Sequence, residues 1–315
     1  MLRVAIVGIG GISTAHINGW NKIKDAEIIA ICDVRPEQME RYPQYRRYTD
    51  FEVLLQQESL DIVDICLPTY LHVEYAIRAM QCGIHVLCEK PISLFRDDVA
   101  RVYGVAAQNN VKFMVAQVLR FWPEFETVKE LYLSEKYGKL LSGSMRRIGN
   151  RPQKSFCDWM IKEEYSGLVP FDLHIHDVDF MVYAFGNPKH STVFRKKCDN
   201  QDYLTAVYSY DDFFITAEAA WYAPHVYPFS SGFRFQFEGA VAEYSGGQFK
   251  IYQTDGQILD YSVIGGNQNG NIGLPQTDAY TNEISYFANA VQMDTHIEKV
   301  QPSQLETVID ILHAI

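Results

Sequence analysis

The sequence predicts an α/β protein, with a doubly wound parallel sheet in its first third and a mainly antiparallel sheet with a few helices after it. Three observations carry that. Short apolar runs alternate with amphipathic stretches as far as about residue 117. A glycine-rich turn joins the first run to the first helical stretch. Beyond residue 140 the pattern changes to period-two alternation, the mark of strands with one buried face.

The runs at residues 4–7, 28–32, 62–66, 85–87 and 112–115 read as strands buried on both faces. Amphipathic stretches such as 71–81 and 94–108 lie between them, and Gly83 and the Asn109-Asn110 pair stop those helices. Repeated strand–helix units imply parallel, doubly wound pairing. A helical segment follows Pro123. Phe233, Phe235 and Phe237 alternate with Arg234, Gln236 and Glu238, as in a half-buried antiparallel strand. Residues 203–210 and 213–221 flank Asp211-Asp212, a hairpin turn. The Gly- and Asn-rich stretch 265–275 reads as a loop, and helices at 278–292 and 303–315 follow it. The change of pattern divides the chain into domains 1–119 and 120–315, with the last helix able to pack back on the first.

A chain of 315 residues is long for one core, which agrees with two domains. It carries 28 Lys plus Arg against 39 Asp plus Glu, a net charge of −11, and no basic stripe, so nucleic acid is not an expected partner. The N-terminal residues lack the apolar core and cleavage site of a secretory signal, and no apolar run reaches membrane-spanning length. The six cysteines show no C-x-x-C spacing, and Cys32, Cys66 and Cys88 sit in or at the ends of apolar runs as small hydrophobes. The expectation is a reduced, cytoplasmic protein without a membrane partner.

The turn Gly8-Ile9-Gly10-Gly11-Ile12-Ser13 follows the first strand and opens a helix. Gly8 permits the tight turn, Gly10 lets the backbone approach a pyrophosphate, and the helix N-terminus offers free N–H groups. Ser13 stands where a third Gly or Ala is usual. Asp33 ends the second strand, at the spacing where a carboxylate accepts from ribose hydroxyls. Strand, glycines, helix and acid in this order point to a Rossmann-type dinucleotide site, against the plainer reading of a tight turn and an N-cap. Ligands of such sheets bind outside the carboxyl ends of the strands. Two segments fall there. In residues 67–72, which hold Pro68, Thr69 and His72, Thr69 is placed to N-cap the next helix. Glu89-Lys90-Pro91 follows the fourth run, and Pro91 biases Lys90 toward an extended conformation that projects its side chain. On position alone Lys90 reads equally as a site residue or a solvated charge.

Residues 168–185 have helical periodicity, with Pro170 in the first turn. Phe171, Ile175, Val178, Val182 and Phe185 form one apolar face. Asp172, His176, Asp179 and Tyr183 share a neighbouring arc, and His174 and Asp177 lie on the far side. A carboxylate one turn from an imidazole can orient it and raise its basicity, which makes Asp172 and His176 an acid–base pair. A solvated i,i+4 pair is the second reading. A metal cluster of His174 and His176 is the third, because neighbours two apart on a helix point about 200° apart and chelate together only on a strand.

These motifs together resemble the glucose-fructose oxidoreductase / inositol dehydrogenase / rhizopine catabolism (Gfo/Idh/MocA) family. They occur in the family's order: Gly8-x-Gly10, Asp33, Pro68-Thr69 with His72, Glu89-Lys90-Pro91, Arg120 with Pro123, Gly167, then Asp172-Leu-His-Ile-His176-Asp177-x-Asp179. Phe235-x-Phe237-x-Gly239 and Tyr280-x-x-Glu283-x-x-x-Phe287 complete the match. The resemblance implies a Rossmann domain plus an α/β domain with a large open, mainly antiparallel sheet whose exposed face joins a homodimer or homotetramer. It implies NAD, with NADP as the alternative, and a secondary alcohol or ketone of a sugar, cyclitol or related small polyol. It makes Lys90, Asp172 and His176 the catalytic group, with no metal. The cofactor set becomes Gly8, Ile9, Gly10, Gly11, Ile12, Asp33, Pro68, Thr69, His72, Glu89, Lys90 and Gln117. In the implied mechanism His176 takes the hydroxyl proton, Asp172 orients it and Lys90 stabilises charge on the oxygen, with the His and Lys roles exchangeable. Trp159 and Tyr165 are weaker candidates for the substrate rim. Two departures, Ser166-Gly167-Leu168 in place of a glycine-rich run and Leu119 before Arg120, touch the substrate side. A non-catalytic cofactor-binding sensor is the rival reading, and a metal-dependent hydrolase a further one.

Overall fold

Apolar runs without polar alternation become strands covered on both faces, and the first part of the chain contains six. They are β1 (Leu2–Val7), β2 (Ala26–Cys32), β3 (Arg46–Tyr48), β4 (Ile62–Ile65), β5 (His85–Glu89) and β6 (Phe113–Ala116). The computed structural model describes residues 1–261 and 278–315. The strands pair in parallel in the order β3-β2-β1-β4-β5-β6. Five of the six were legible in the apolar runs. The sixth, β3, is a three-residue edge strand that is largely exposed, and its Arg46-Arg47-Tyr48 sequence carries no apolar signal.

Helices α1 (Ser13–Trp20), α2 (Pro36–Met39), α3 (Phe51–Gln57), α4 (Thr69–Gln81) and α5 (Arg96–Gln108) make the crossovers. Asn109 caps α5, and Asn110 and Gly83 both take positive φ, as stop residues do. The sequence placed Thr69 at the N-cap of α4. Pro68 holds that position and Thr69 is the first helical residue, so no side chain caps the helix. The strand order reverses between β1 and β4, and the carboxyl ends of these two strands therefore part around a crevice. The glycine turn and residues 66–69 stand at that point.

The chain divides into two compact units. The first comprises residues 1–121 and, among the described residues, 278–306. The second comprises 122–261 and 307–315. Helix α9 (Ala279–Gln292), which the sequence reading assigned to the second domain, thus counts with the first unit, where Ile284 would meet a Cβ built on Gly19 of α1 at 2.5 Å.

The second unit holds α6 (Pro123–Ser134), β7 (Leu140–Asn150), α7 (Glu163–Ser166) and α8 (Ile175–Phe185). Its remaining strands are β8 (His190–Cys198), β9 (Gln201–Ser209), β10 (Phe214–Tyr222), β11 (Ser230–Phe237), β12 (Ala240–Ser245), β13 (Gln248–Gln253) and β14 (Ile258–Asp260). Together they form an eight-stranded sheet ordered β14-β13-β12-β11-β7-β10-β9-β8. Only the β7–β10 pair is parallel. Helix α10 (Pro302–His313) spans the division at residue 306. Asp211-Asp212 is the β9–β10 turn. Phe233, Phe235 and Phe237 are buried while Arg234 and Gln236 face out, as the alternation requires. Phe125 of α6 meets Phe180 of α8 and Phe233 of β11 edge-on, each at 4.8 Å, so these helices cover one face of the sheet. The predicted loop at 265–275 lies outside the described residues.

Candidate active site

The turn after β1 is built for close approach. Gly8 has φ +90°, and a Cβ there would stand 2.6 Å from the Cys66 carbonyl oxygen, so only glycine fits against the loop after β4. A Cβ on Gly10 would meet nothing within 4 Å, and α1 begins at Ser13 without a side-chain cap. Ser13 is buried and its hydroxyl donates back to the Gly10 carbonyl at 2.8 Å. An open glycine in front of an uncapped helix start suits a pyrophosphate. Gln117, directly after β6, is buried, and its Oε1 has no hydrogen-bond partner. An orphaned acceptor at the strand ends suits an N–H donor such as a carboxamide, so the residues present fit a dinucleotide.

Asp33, at the end of β2, is buried, and its carboxylate closes the glycine turn. Oδ2 accepts from the Ile9 amide at 2.8 Å and Oδ1 from the Arg35 amide at 2.9 Å. The Arg35 guanidinium lies 3.2 and 3.3 Å from the two oxygens. Ile9 therefore gives its amide to Asp33, and its side chain is in the core. Arg41, which the sequence reading missed, donates to the Ile9 and Gly10 carbonyls at 3.1 and 2.9 Å. Gly11 is exposed and Ile12 half-buried beside it.

His72 is buried, with Nδ1 2.7 Å from the Pro91 carbonyl oxygen and Nε2 2.8 Å from that of Leu67. Burial lowers its pKa, so the neutral ring donates to one carbonyl at a time. It ties the loop after β4 to the loop after β5, and its ring has no edge left for a ligand. Thr69 is also buried, and Pro68 is half-buried. Glu89, at the end of β5, accepts the Lys90 amide at 3.0 Å, and the half-buried Lys90 precedes a cis bond to Pro91.

Behind Lys90 lies a group of which the sequence reading singled out only Glu89. The fully buried His16 of α1 stands with Nδ1 2.8 Å from Asp64 Oδ2 and Nε2 2.9 Å from Glu89 Oε1. The Trp20 indole donates to the same Asp64 oxygen at 2.7 Å. Burial alone would lower the pKa of His16, but Asp64, together with Cys66, outweighs it and raises it well above the usual value. Glu89 is pushed up by burial, yet the His16 bond and charge hold it below the usual carboxylate range. One signal was available: Asp64 is a lone charge inside the apolar run Ile62-Val-Asp-Ile65, and such a carboxylate is buried only when paired.

In the second unit Gly167 (φ +67°) and Leu168 (φ +56°) turn the chain into the helical segment. A Cβ on Gly167 would strike the Phe171 ring at 2.4 Å. The Ser166 hydroxyl donates to the Met160 carbonyl at 2.7 Å and accepts the Leu168 amide at 3.0 Å. The Asp202 carboxylate, paired with Arg195, accepts the Val169 amide at 3.3 Å. Residues Pro170–His174 then wind as a π-helix rather than the α-helix the periodicity predicted, and α8 continues from Ile175. Such i→i+5 turns recur at functional sites.

The turn sorts its polar residues. Asp172 and His176 are half-buried, and Asp172 Oδ2 accepts from the Trp221 indole at 3.2 Å. His174 is fully buried: Nε2 shares a hydrogen bond with the Tyr208 hydroxyl at 2.7 Å, and Nδ1 has no partner. Burial, helped by the Arg147 charge, pushes its pKa down to about 3. Asp177, expected on the far side, is buried and paired with Arg147 at 3.0 Å. Burial raises its pKa against that pairing. His174 and Asp177, which the sequence places on the far side of the helix, are therefore buried there and anchor the segment to β9 and β7. Of the two candidate rim residues, Trp159 is half-buried and Tyr165 exposed, on the stretch just before the turn.

Two family models match the chain. An oxidoreductase family with an NAD-binding Rossmann fold matches residues 2–117, and the GFO/IDH/MocA C-terminal domain matches 125–259. A myo-inositol 2-dehydrogenase of Thermotoga maritima is 30% identical over 190 residues, 59% of this chain and 55% of that protein. A D-glucoside 3-dehydrogenase of Escherichia coli is 26% identical over 192 residues, again 59% and 55%. The matched stretch thus spans about half the length of these curated relatives. Among solved structures, a levoglucosan dehydrogenase in complex with NADH and levoglucosan superposes with a TM-score of 0.82 at 18% identity, over 100% of this chain and 96% of that one.

Proposed function

Taking as premise that the chain belongs to the GFO/IDH/MocA family of oxidoreductases, we propose that it oxidises a secondary alcohol of a sugar, cyclitol or related small polyol, or reduces the ketone, with NAD. The observation that carries this reading is the sorting at the π turn, which leaves Asp172 and His176 half-buried while His174 and Asp177 are drawn into the core. A dehydrogenase needs one imidazole with access to its substrate and a rigid mount behind it.

NAD, when bound, would supply the acceptor for the hydride removed from the carbinol carbon, and NADH the donor for the reverse reduction of the ketone. His176 takes the hydroxyl proton at a ring nitrogen, and Asp172 holds the imidazole in orientation. Lys90 donates a hydrogen bond to the same oxygen and stabilises the charge that builds on it. Gly10 and the start of α1 would hold the pyrophosphate, and Asp33 would hold the adenosine ribose. NAD is preferred, because the Asp33 carboxylate repels a 2′-phosphate. Arg35 and Arg41, on that carboxylate and on the turn, soften the preference. Partnering through the open face of the eight-stranded sheet, where Phe194 and Phe214 are exposed, fits a homodimer or homotetramer.

The test is a screen of sugars, sugar acids and cyclitols with NAD, read as NADH absorbance, on the parent protein and Lys90→Ala. Turnover on one substrate class, lowered about a hundredfold or more in Lys90→Ala with NADH binding retained, supports the reading. Retained NADH binding with no turnover on any substrate marks a sensor. In the same preparation NADH should bind more tightly than NADPH, and tighter NADPH binding reverses the Asp33 argument.

A further inference from the structure

Every donor and acceptor of the buried group behind β5 has a partner, and the pattern fixes where its protons sit. Both nitrogens of the His16 ring face carboxylate oxygens, Asp64 at 2.8 Å and Glu89 at 2.9 Å. A neutral imidazole has one N–H and can donate to only one of them. The Trp20 indole and the Cys66 thiol also donate to Asp64, at 2.7 and 3.9 Å, so no donor around that carboxylate would be relieved by protonating it. The other groups facing the ring are Cys88, whose thiol burial keeps protonated, and Tyr280, whose ring centroid lies 6.0 Å away. Lys90 is a further cation beside the group, and it acts on Glu89. His16, Asp64 and Cys66 bring ligand atoms within 4.8 Å of one another, as a metal site requires. Both His16 nitrogens and Asp64 Oδ2 are, however, already engaged in these bonds, so the set holds a proton rather than an ion.

We infer that His16 is a positioning residue: it is carried as an imidazolium between Asp64 and Glu89, and it thereby fixes the carboxylate that holds the Lys90 backbone amide. One Glu89 oxygen accepts from His16 and the other accepts the Lys90 amide at 3.0 Å. The chain α1–β4–β5 thus ends on the peptide unit from which the Lys90 side chain departs. Loss of the His16 proton frees Glu89 to rotate and loosens that amide. The consequence for catalysis rests on the role proposed for Lys90, whereas the proton position and the amide do not.

The experiment is NMR on the whole, cofactor-free chain with nitrogen-15 histidine, together with hydrogen exchange at the Lys90 amide. Both His16 ring nitrogens should carry protons at least to about pH 8. A neutral, single-tautomer ring at about pH 7 overturns the inference. In Glu89→Gln the imidazole should release its proton at a pH lower by about one unit or more. In His16→Asn and in Glu89→Gln the Lys90 amide should exchange about tenfold faster or more. Unchanged exchange in both folded variants removes the positioning role. Should His16→Asn not fold, the parent spectrum and Glu89→Gln still decide. If a substrate is found, Glu89→Gln should lower kcat about tenfold with KM nearly unchanged. A protein without any turnover leaves the NMR result standing and defeats only the proposed function.

Discussion

The carboxyl ends of the parallel sheet and the turn that opens α8 each bury a histidine completely, and the two imidazoles titrate in opposite directions. His16 lies between two carboxylates and its pKa is raised well above the usual value despite its burial. His174 meets a neutral Tyr208 hydroxyl, with the Arg147 guanidinium in the background, and its pKa falls to about 3. Burial is the same in both, so the partners decide the sign. Each residue also stands behind a proposed catalytic side chain, His16 behind Lys90 and His174 two residues before His176. One mount is ionic and the other neutral.

The largest effect should come from stranding a charge in the ionic mount. Asp64→Leu leaves the His16 imidazolium and the Trp20 indole without their acceptor, at a cost of about 3–5 kcal/mol in urea unfolding. A loss below about 1 kcal/mol would mean that His16 is neutral and the contrast false.

The pH dependence of stability sharpens the same comparison. For His174 the folded pKa lies below the unfolded one, so its contribution is intact above about pH 6.5 and is lost as pH falls toward 3, at about 1.4 kcal/mol per pH unit. His174→Gln, which keeps a partner for Tyr208, should remove that slope and make the protein less sensitive to acid. For His16 the folded pKa is the higher one, so its contribution is complete below about pH 6.5 and is lost as pH rises through the folded value. Denaturant midpoints across the pH range check both arms, and an acid slope unchanged in His174→Gln would place a different group in charge of it.

A smaller effect is expected at the entrance to the neutral mount. Gly167→Ala places a Cβ at 2.4 Å from the Phe171 ring on a backbone with φ +67°, for about 1–3 kcal/mol of lost stability. Calorimetry would measure it, and a neutral outcome would show that the turn relaxes without consequence.

Much of this was legible in the sequence because it rests on local pattern. The strands β1, β2, β4, β5 and β6 announced themselves as apolar runs, and the alternation of Phe233, Phe235 and Phe237 gave β11 its buried face. The i,i+4 spacing of Asp172 and His176 and the glycine turn with Asp33 were visible for the same reason. Contacts made by topology were not. Nothing in the sequence ties His16 to Asp64 and Glu89, 48 and 73 residues away, or Arg147 to Asp177. Arg146-Arg147 in a strand does imply that one arginine points inward, and that signal went unread. The π winding at Pro170–His174 has no sequence period distinct from an α-helix over five residues, so the helical periodicity of 168–185 concealed it.

The account stands on the claim that the π turn divides its two imidazoles into one that works and one that anchors. The direct measurement is the pH profile of kcat/KM for the parent, His176→Ala and His174→Gln on one accepted substrate. The account predicts a loss of about a hundredfold to ten-thousandfold in His176→Ala, with the acid limb flattened, and a His174→Gln profile of unchanged shape and near-parental height. Equal, large losses from both substitutions would contradict it.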